Sequence, residues 1–95
     1  MANDETTVLK PIKTSGERID AMVFDVVSTM NNVGYNAIDQ VAGYLMSGDP
    51  TYITAKEGCR VKVREFDRFT ILERVLEKYI DTLTKENTIK NKEES

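Results

Sequence analysis

The stretch GYNAIDQVAGYLMSGDPTYI, residues 34–53, decides the fold. Asn36 is a good N-cap, and Asp39 places a carboxylate in the first turn, beside free backbone N–H groups and the positive helix end. Ile38, Val41, Ala42 and Leu45 follow at i, i+3, i+4 and i+7, the spacing of one helical face. Ser47-Gly48 stops the helix, because glycine enters the left-handed region without a steric penalty. Asp49-Pro50 restarts at once, with Asp as cap and Pro where its missing N–H is not needed. These are the joints of a small helical protein, and they carry no chemistry of their own.

Working outward, residues 1–15 show no sustained period, and Pro11 interrupts any helix. This segment reads as a mobile N-terminal tail. Thr14 and Glu17 form a capping box. Ile19, Met22, Val23, Val26, Val27, Met30 and Val33 then hold helical spacing up to Asn31-Asn32 and Gly34. Downstream, Asp67 caps a last long helix with Thr70 three residues on. Phe69, Leu72, Val75, Leu76, Tyr79, Ile80 and Leu83 line its apolar face. Glu73, Arg74, Glu77 and Lys78 read as a solvated face. After Leu83 apolar content falls, so residues 84–95 read as a frayed or disordered tail, leaving a helical domain over 16–83.

Residues 59–66 fit two patterns. Cys59, Val61 and Val63 alternate with Arg60, Lys62 and Arg64, as in a strand. A helix instead places Arg60, Arg64 and Arg68 in one stripe. A lone strand would leave its backbone unpaired, which favours the helix. The expected fold class is therefore all-α, a small compact helical domain between two tails. The broad apolar faces of the first and last helices exceed what one small core covers, so a homodimer is expected.

Composition narrows the function. The chain of 95 residues has a net charge of −3, which argues against a general nucleic-acid binder. It has no histidine, the commonest general base and metal ligand. Asp39, Asp49 and Asp67 are explained by capping, and no phosphate loop, metal-ligand cluster or nucleophile motif is present. The chain reads as non-enzymatic, with no cofactor. Its single cysteine, Cys59, excludes an internal disulfide and fits a reducing cytoplasm, where a small buried apolar role is expected. No apolar run reaches the roughly 20 residues of a membrane span, and no signal peptide is visible.

Three arginines four residues apart could grip carboxylates or phosphates in bidentate fashion. The plainer reading pairs them with Glu57, Glu65 or Asp67 on a solvated helix. Thr6 and Thr7, after Asp4-Glu5, lie in an extended segment open to a kinase. A phosphate there adds about −1.5 to −2 charge.

The residues Gly34-Tyr35-Asn36, Gln40, Gly43-Tyr44-Leu45, Ser47-Gly48-Asp49-Pro50, Tyr52-Ile53, Arg60, Arg64, Arg68 and Tyr79 resemble the IreB/ReoM family. These are small cytoplasmic regulatory phosphoproteins of Gram-positive bacteria. The likeness runs without gaps over residues 34–80, and the SGDPxYI block is its specific part. The resemblance implies a helical, intertwined homodimer and a helix at 59–66. It implies phosphorylation by a membrane Ser/Thr kinase on a threonine near the N-terminus. Thr7, followed by Val8-Leu9, fits that context better than Thr6. It also implies control of peptidoglycan precursor synthesis and antibiotic tolerance, through adaptor or protease components that turn over an early pathway enzyme. Arg60, Arg64 and Arg68 would be the partner-binding face. Ala55, Gly58-Cys59 and Phe69 depart from the family pattern. The alternative function is a small helical DNA-binding regulator, with the arginine segment as recognition helix.

Overall fold

The computed structural model describes residues 13–94, with side chains described through residue 87. Four α-helices follow one another: α1 (Ser15–Asn32), α2 (Ala37–Ser47), α3 (Cys59–Arg64) and α4 (Arg68–Glu94). Short 3₁₀ turns at Pro50–Tyr52 and Lys56–Gly58 join α2 to α3. There is no strand among the described residues, so the all-α reading holds and residues 59–64 are helical.

The expected caps are in place. Thr14 Oγ1 accepts from the Glu17 N–H at 3.1 Å, and Glu17 Oε1 accepts from the Thr14 N–H at 2.9 Å. Asn36 Oδ1 accepts from the Asp39 N–H at 3.0 Å, and Asp67 Oδ2 from the Thr70 N–H at 3.1 Å. Each such cap satisfies a helix-end donor and contributes about 1 kcal/mol.

The core gathers Ile19, Met22, Val26 and Met30 of α1 against Ala37 and Tyr44 of α2, Ile53 of the joining segment, Cys59 and Val63 of α3, and Ile71 of α4. Full burial of side chains such as Ile19, Met30, Ile53 and Ile71 stabilises by about 1.5–3 kcal/mol each. Cys59 is wholly buried, as its apolar reading anticipates. Thr29, the buried polar residue, is satisfied by donating Oγ1–H to the Asp25 carbonyl at 3.1 Å.

Two features of α4 go beyond its periodicity. Its helical backbone continues past Leu83 to Glu94. The apolar period ends at Leu83, but helix formation does not require it. No Gly or Pro interrupts the segment, Lys85 bridges Asp81 one turn back at 3.1 Å, and Lys and Glu favour the helix. The apolar face read for α4 is also not its core face. Phe69, Leu72, Val75, Leu76, Tyr79, Ile80 and Leu83 are all exposed, while Ile71 enters the core. The stripe is wide enough to offer two inward directions, and contact with α1 and α2 selects the one through Ile71.

Candidate functional site

Arg60, Arg64 and Arg68 do not form one stripe. Helix α3 has only six residues and ends at Arg64; the chain then turns through Glu65 and Phe66 before Asp67 caps α4. The cap that starts α4 is what breaks the four-residue register. Arg60 turns back, and its Nε–H donates to the Ile53 carbonyl at 2.7 Å. Arg68 opens α4 and reaches across to α2, where Nη1–H donates to the Leu45 carbonyl at 2.8 Å. That carbonyl belongs to the last turn of α2, so a cation there also answers the negative helix end. Arg64 is exposed and has no hydrogen-bond or ion-pair partner among the described residues. The pairings of these arginines with Glu57, Glu65 or Asp67 are likewise not found there.

The SGDPxYI block builds the seat for these contacts. Gly48 adopts φ +77°, and a Cβ on it would lie 2.8 Å from the Arg68 guanidinium carbon. The left-handed backbone at this position is what calls for glycine, with the Arg68 side chain lying over it. Asp49 Oδ1 accepts from the Thr51 N–H at 3.0 Å and from its hydroxyl at 2.8 Å. These bonds, led by the Thr51 backbone N–H, hold the Asp49 carboxyl below its usual range. The Tyr52 ring covers Gly43, leaving no room for a side chain there. Gln40 Oε1 accepts from the Thr54 N–H at 3.0 Å, fastening the following loop to α2.

A second constellation escaped the sequence reading. Arg74, assigned to a solvated face, clamps Asp20 of α1 with both arms, Nε to Oδ1 at 2.9 Å and Nη2 to Oδ2 at 2.8 Å. Its Nη1 reaches Glu77 at 3.3 Å, and Lys78 approaches Asp20 at 3.9 Å. The Arg74 hydrogen bonds lower the Asp20 pKa against a smaller opposing desolvation, and Asp20 in turn raises that of Arg74. Lys62 pairs with Asp25 of α1 at 2.8 Å, and that hydrogen bond raises the lysine pKa. The available signal was Asp20 itself, an acid beside Ile19 on the inward side of α1.

Between α1 and α4 lies an apolar groove of about 390 Å³, with Ile19, Val23, Phe24, Val27 and Val75 on its walls and the Asp20–Arg74 clamp on its rim. Phe24 is 75% exposed, and beyond the groove Tyr79 and Ile80 of α4 are 59% and 56% exposed. Contiguous apolar surface on this scale marks an interaction site. Asp49 and Asp67, read as caps, do accept cap hydrogen bonds. Among the described residues no group of three His, Cys, Asp or Glu side chains could hold a metal ion, and no helix is long and apolar enough to cross a membrane. Thr6 and Thr7 lie outside the described residues. Uncovered apolar faces, arginines spent on backbone carbonyls and a tightly seated SGDPxYI joint describe a binding scaffold. The model of the IreB regulatory phosphoprotein family matches residues 4–81, and the chain belongs to that family.

Proposed function

We propose that this protein is a non-enzymatic cytoplasmic adaptor that acts as a homodimer and is switched by a Ser/Thr kinase at Thr7, with Thr6 as the second candidate. Its output is control of peptidoglycan precursor synthesis, and hence antibiotic tolerance, through regulated proteolysis by adaptor or protease components. The observation that carries this reading is the uncovered apolar surface of α1 and α4, which calls for protein partners. Membership of a regulatory phosphoprotein family supports the switch. The matched region begins at residue 4 and so includes both threonines.

The switch acts on partner binding rather than on the fold. Thr7 precedes the Thr14 cap by seven residues of sequence, so a phosphate there leaves the α1 capping box intact. A fold-back onto a three-arginine face is disfavoured, since Arg60 and Arg68 already donate to carbonyls. Arg64 stays available to an acidic partner.

The test is phosphorylation by a cognate membrane Ser/Thr kinase, followed by capture of partners from lysate with modified and unmodified protein. Label at Thr7 that Thr7→Ala abolishes, with a changed set of captured protease components, is the expected result. No label at Thr6 or Thr7 removes the switch. Salt-dependent retardation of duplex DNA overturns the adaptor reading. Sedimentation showing only a 10.8 kDa monomer at tens of micromolar removes the homodimer.

A further inference from the structure

At the start of α1 a pocket of about 430 Å³ opens between α1, the end of α3 and the turn that follows it. Met22 and Phe66 form its apolar wall. Five charged side chains line the rest: Lys13, Arg18, Lys62, Asp25 and Glu65. Lys62 and Asp25 bind each other at 2.8 Å, and their charges cancel. Lys13, Arg18 and Glu65 have no ion-pair partner among the described residues. Glu17 does not line the pocket, and its carboxylate is turned onto the Thr14 N–H at 2.9 Å. Two unpaired cations thus face one unpaired carboxylate, and the wall stays positive.

Arg18 is held there without being neutralised. Its guanidinium carbon lies 5.5 Å from the centre of the Phe66 ring, a cation–π contact. Its side-chain N–H groups make no hydrogen bond among the described residues, so the planar fork is open to a bidentate acceptor. The chain itself supplies a candidate acceptor. Lys13, on the pocket wall, is where residues 1–12 join the described structure. That segment reads MANDETTVLKPI, with Asp4 and Glu5 before the two threonines, Val8-Leu9 after them, and Lys10 as its one cationic side chain. Attachment at Lys13 holds it at an effective concentration on the order of millimolar, so a modest affinity suffices. Against a wall that includes Glu65, one side-chain carboxylate gains little. A phosphothreonine brings about −1.5 to −2 charge and three acceptor oxygens.

We propose that this pocket is the receptor for the chain's own phosphorylated N-terminal segment. Arg18 and Lys13 take the phosphate of residue 7, and Val8-Leu9 pack on Met22 and Phe66. The inference rests on the threonine switch proposed above and says where its phosphate goes. Arg60 and Arg68 are spent on carbonyls, whereas the Arg18 fork is open and stands beside the segment's point of attachment. Docking draws the segment against α1 and α3 and withdraws it from any partner that reads it extended. Glu65 sets the threshold: it opposes the unmodified acidic segment, and the added charge of the phosphate overcomes it.

The test uses full-length protein with phosphothreonine installed at residue 7 by chemical ligation. No kinase is involved, so a failed kinase assay and a failed docking remain separate results. Compared with unmodified protein, NMR should show the Arg18 Nε–H, Met22 methyl and Phe66 ring signals moved. The second ionisation of the phosphate should shift to lower pH, because the facing cations favour the dianion. Arg18→Gln should return these signals to their unmodified positions. It should also weaken binding of a synthetic phosphorylated peptide of residues 1–12 to the unmodified protein about tenfold. Glu65→Gln should tighten the same peptide, a gain that a merely structural glutamate would not give. Both sites are exposed, so circular dichroism should not change. Shifts confined to Arg64 or to Phe24, or no response to Arg18→Gln, overturn the proposal. So does an equal response to inorganic phosphate at the peptide's concentration, which would make the pocket a general anion site with no claim on the segment.

Discussion

Residues 34–68 and the exposed flank of α4 are both rich in sequence pattern, yet the chain uses them in opposite ways. In the first region the residues that form the joint meet partners within the same chain, while Ile38 and Met46 of α2 stay exposed. Tyr52 sits on Gly43, Arg68 on Gly48, Arg60 on Ile53, Gln40 on Thr54. In the second, Leu72, Val75, Leu76, Tyr79, Ile80 and Leu83 keep strict helical spacing and meet solvent. A recognisable motif therefore need not be the binding surface. Here the distinctive block is the joint that holds the scaffold, and the plainer helix carries the uncovered surface.

One substitution in the joint and a pair on α4 should separate these roles with the largest effects. Ile53→Ala opens a cavity beneath the joint and should cost about 2–5 kcal/mol of folding stability, read by denaturant melts at fixed protein concentration. Leu76→Asp with Ile80→Asp should leave the monomer fold intact and weaken self-association about 100-fold or more, read by sedimentation over a dilution series. If the α4 pair destabilises the isolated chain as much as Ile53→Ala does, the contrast between the two regions fails.

Gly43→Ala probes the joint more gently. The added methyl meets the Tyr52 ring and must push it off α2. The expected cost is about 1–3 kcal/mol, the range for overpacking a close contact. Tyr52→Ala in the same background should recover part of the loss, because the clash then has no second party; a double-mutant cycle showing strict additivity would contradict the packing described.

Local signals made much of the fold readable. Thr14, Asn36, Asp49 and Asp67 each announce a helix start through a side-chain oxygen, and Gly48 announces a stop, because capping depends on a few consecutive residues. Ile71 was missed because choosing among the apolar directions of α4 depends on where α1 and α2 lie. Arg74 was missed for the same reason. Its neighbours in sequence describe a wet face, while its carboxylate partner comes from α1, 54 positions away. The arginine stripe was misread because a four-residue repeat was carried across Asp67, a residue already recognised as a cap.

The Asp20–Arg74 clamp gives this contrast a pH dependence. The folded-state pKa of Asp20 is lowered, so its contribution is full above the ordinary carboxylate pKa and is lost as pH falls through the lower folded value. Thermal melts taken downward from neutral pH should therefore lose stability in the acid range. Asp20→Asn should flatten that slope. The effect is modest, because the two side chains remain 34% and 24% exposed and solvent screens them. An unchanged slope in Asp20→Asn would assign acid sensitivity elsewhere.

The smallest expected effect lies at the one strained residue inside the joint. Glu57 adopts φ 51° and ψ 32°, and Gly58 follows at φ 74°, so two left-handed residues in a row lead into α3. For an L-residue this conformation costs about 1–2 kcal/mol. Glycine removes that strain but gives up about 0.5–1 kcal/mol in chain entropy. Glu57→Gly should thus raise stability by about 0.5 kcal/mol, the balance of these two terms. One attraction opposes the gain, since the Glu57 charge contributes to the raised pKa of Lys62. Glu57→Gln isolates that opposition: it keeps the strained backbone and removes the charge, and should lower stability slightly. Glu57→Asn removes the charge but tolerates the left-handed region, and should fall between Gln and Gly. Chemical denaturation of the three variants side by side orders them. If Gly ranks below Gln, the Glu57 side chain holds the entry to α3 by a contact that outweighs its backbone strain, and the joint is tighter than its hydrogen bonds account for.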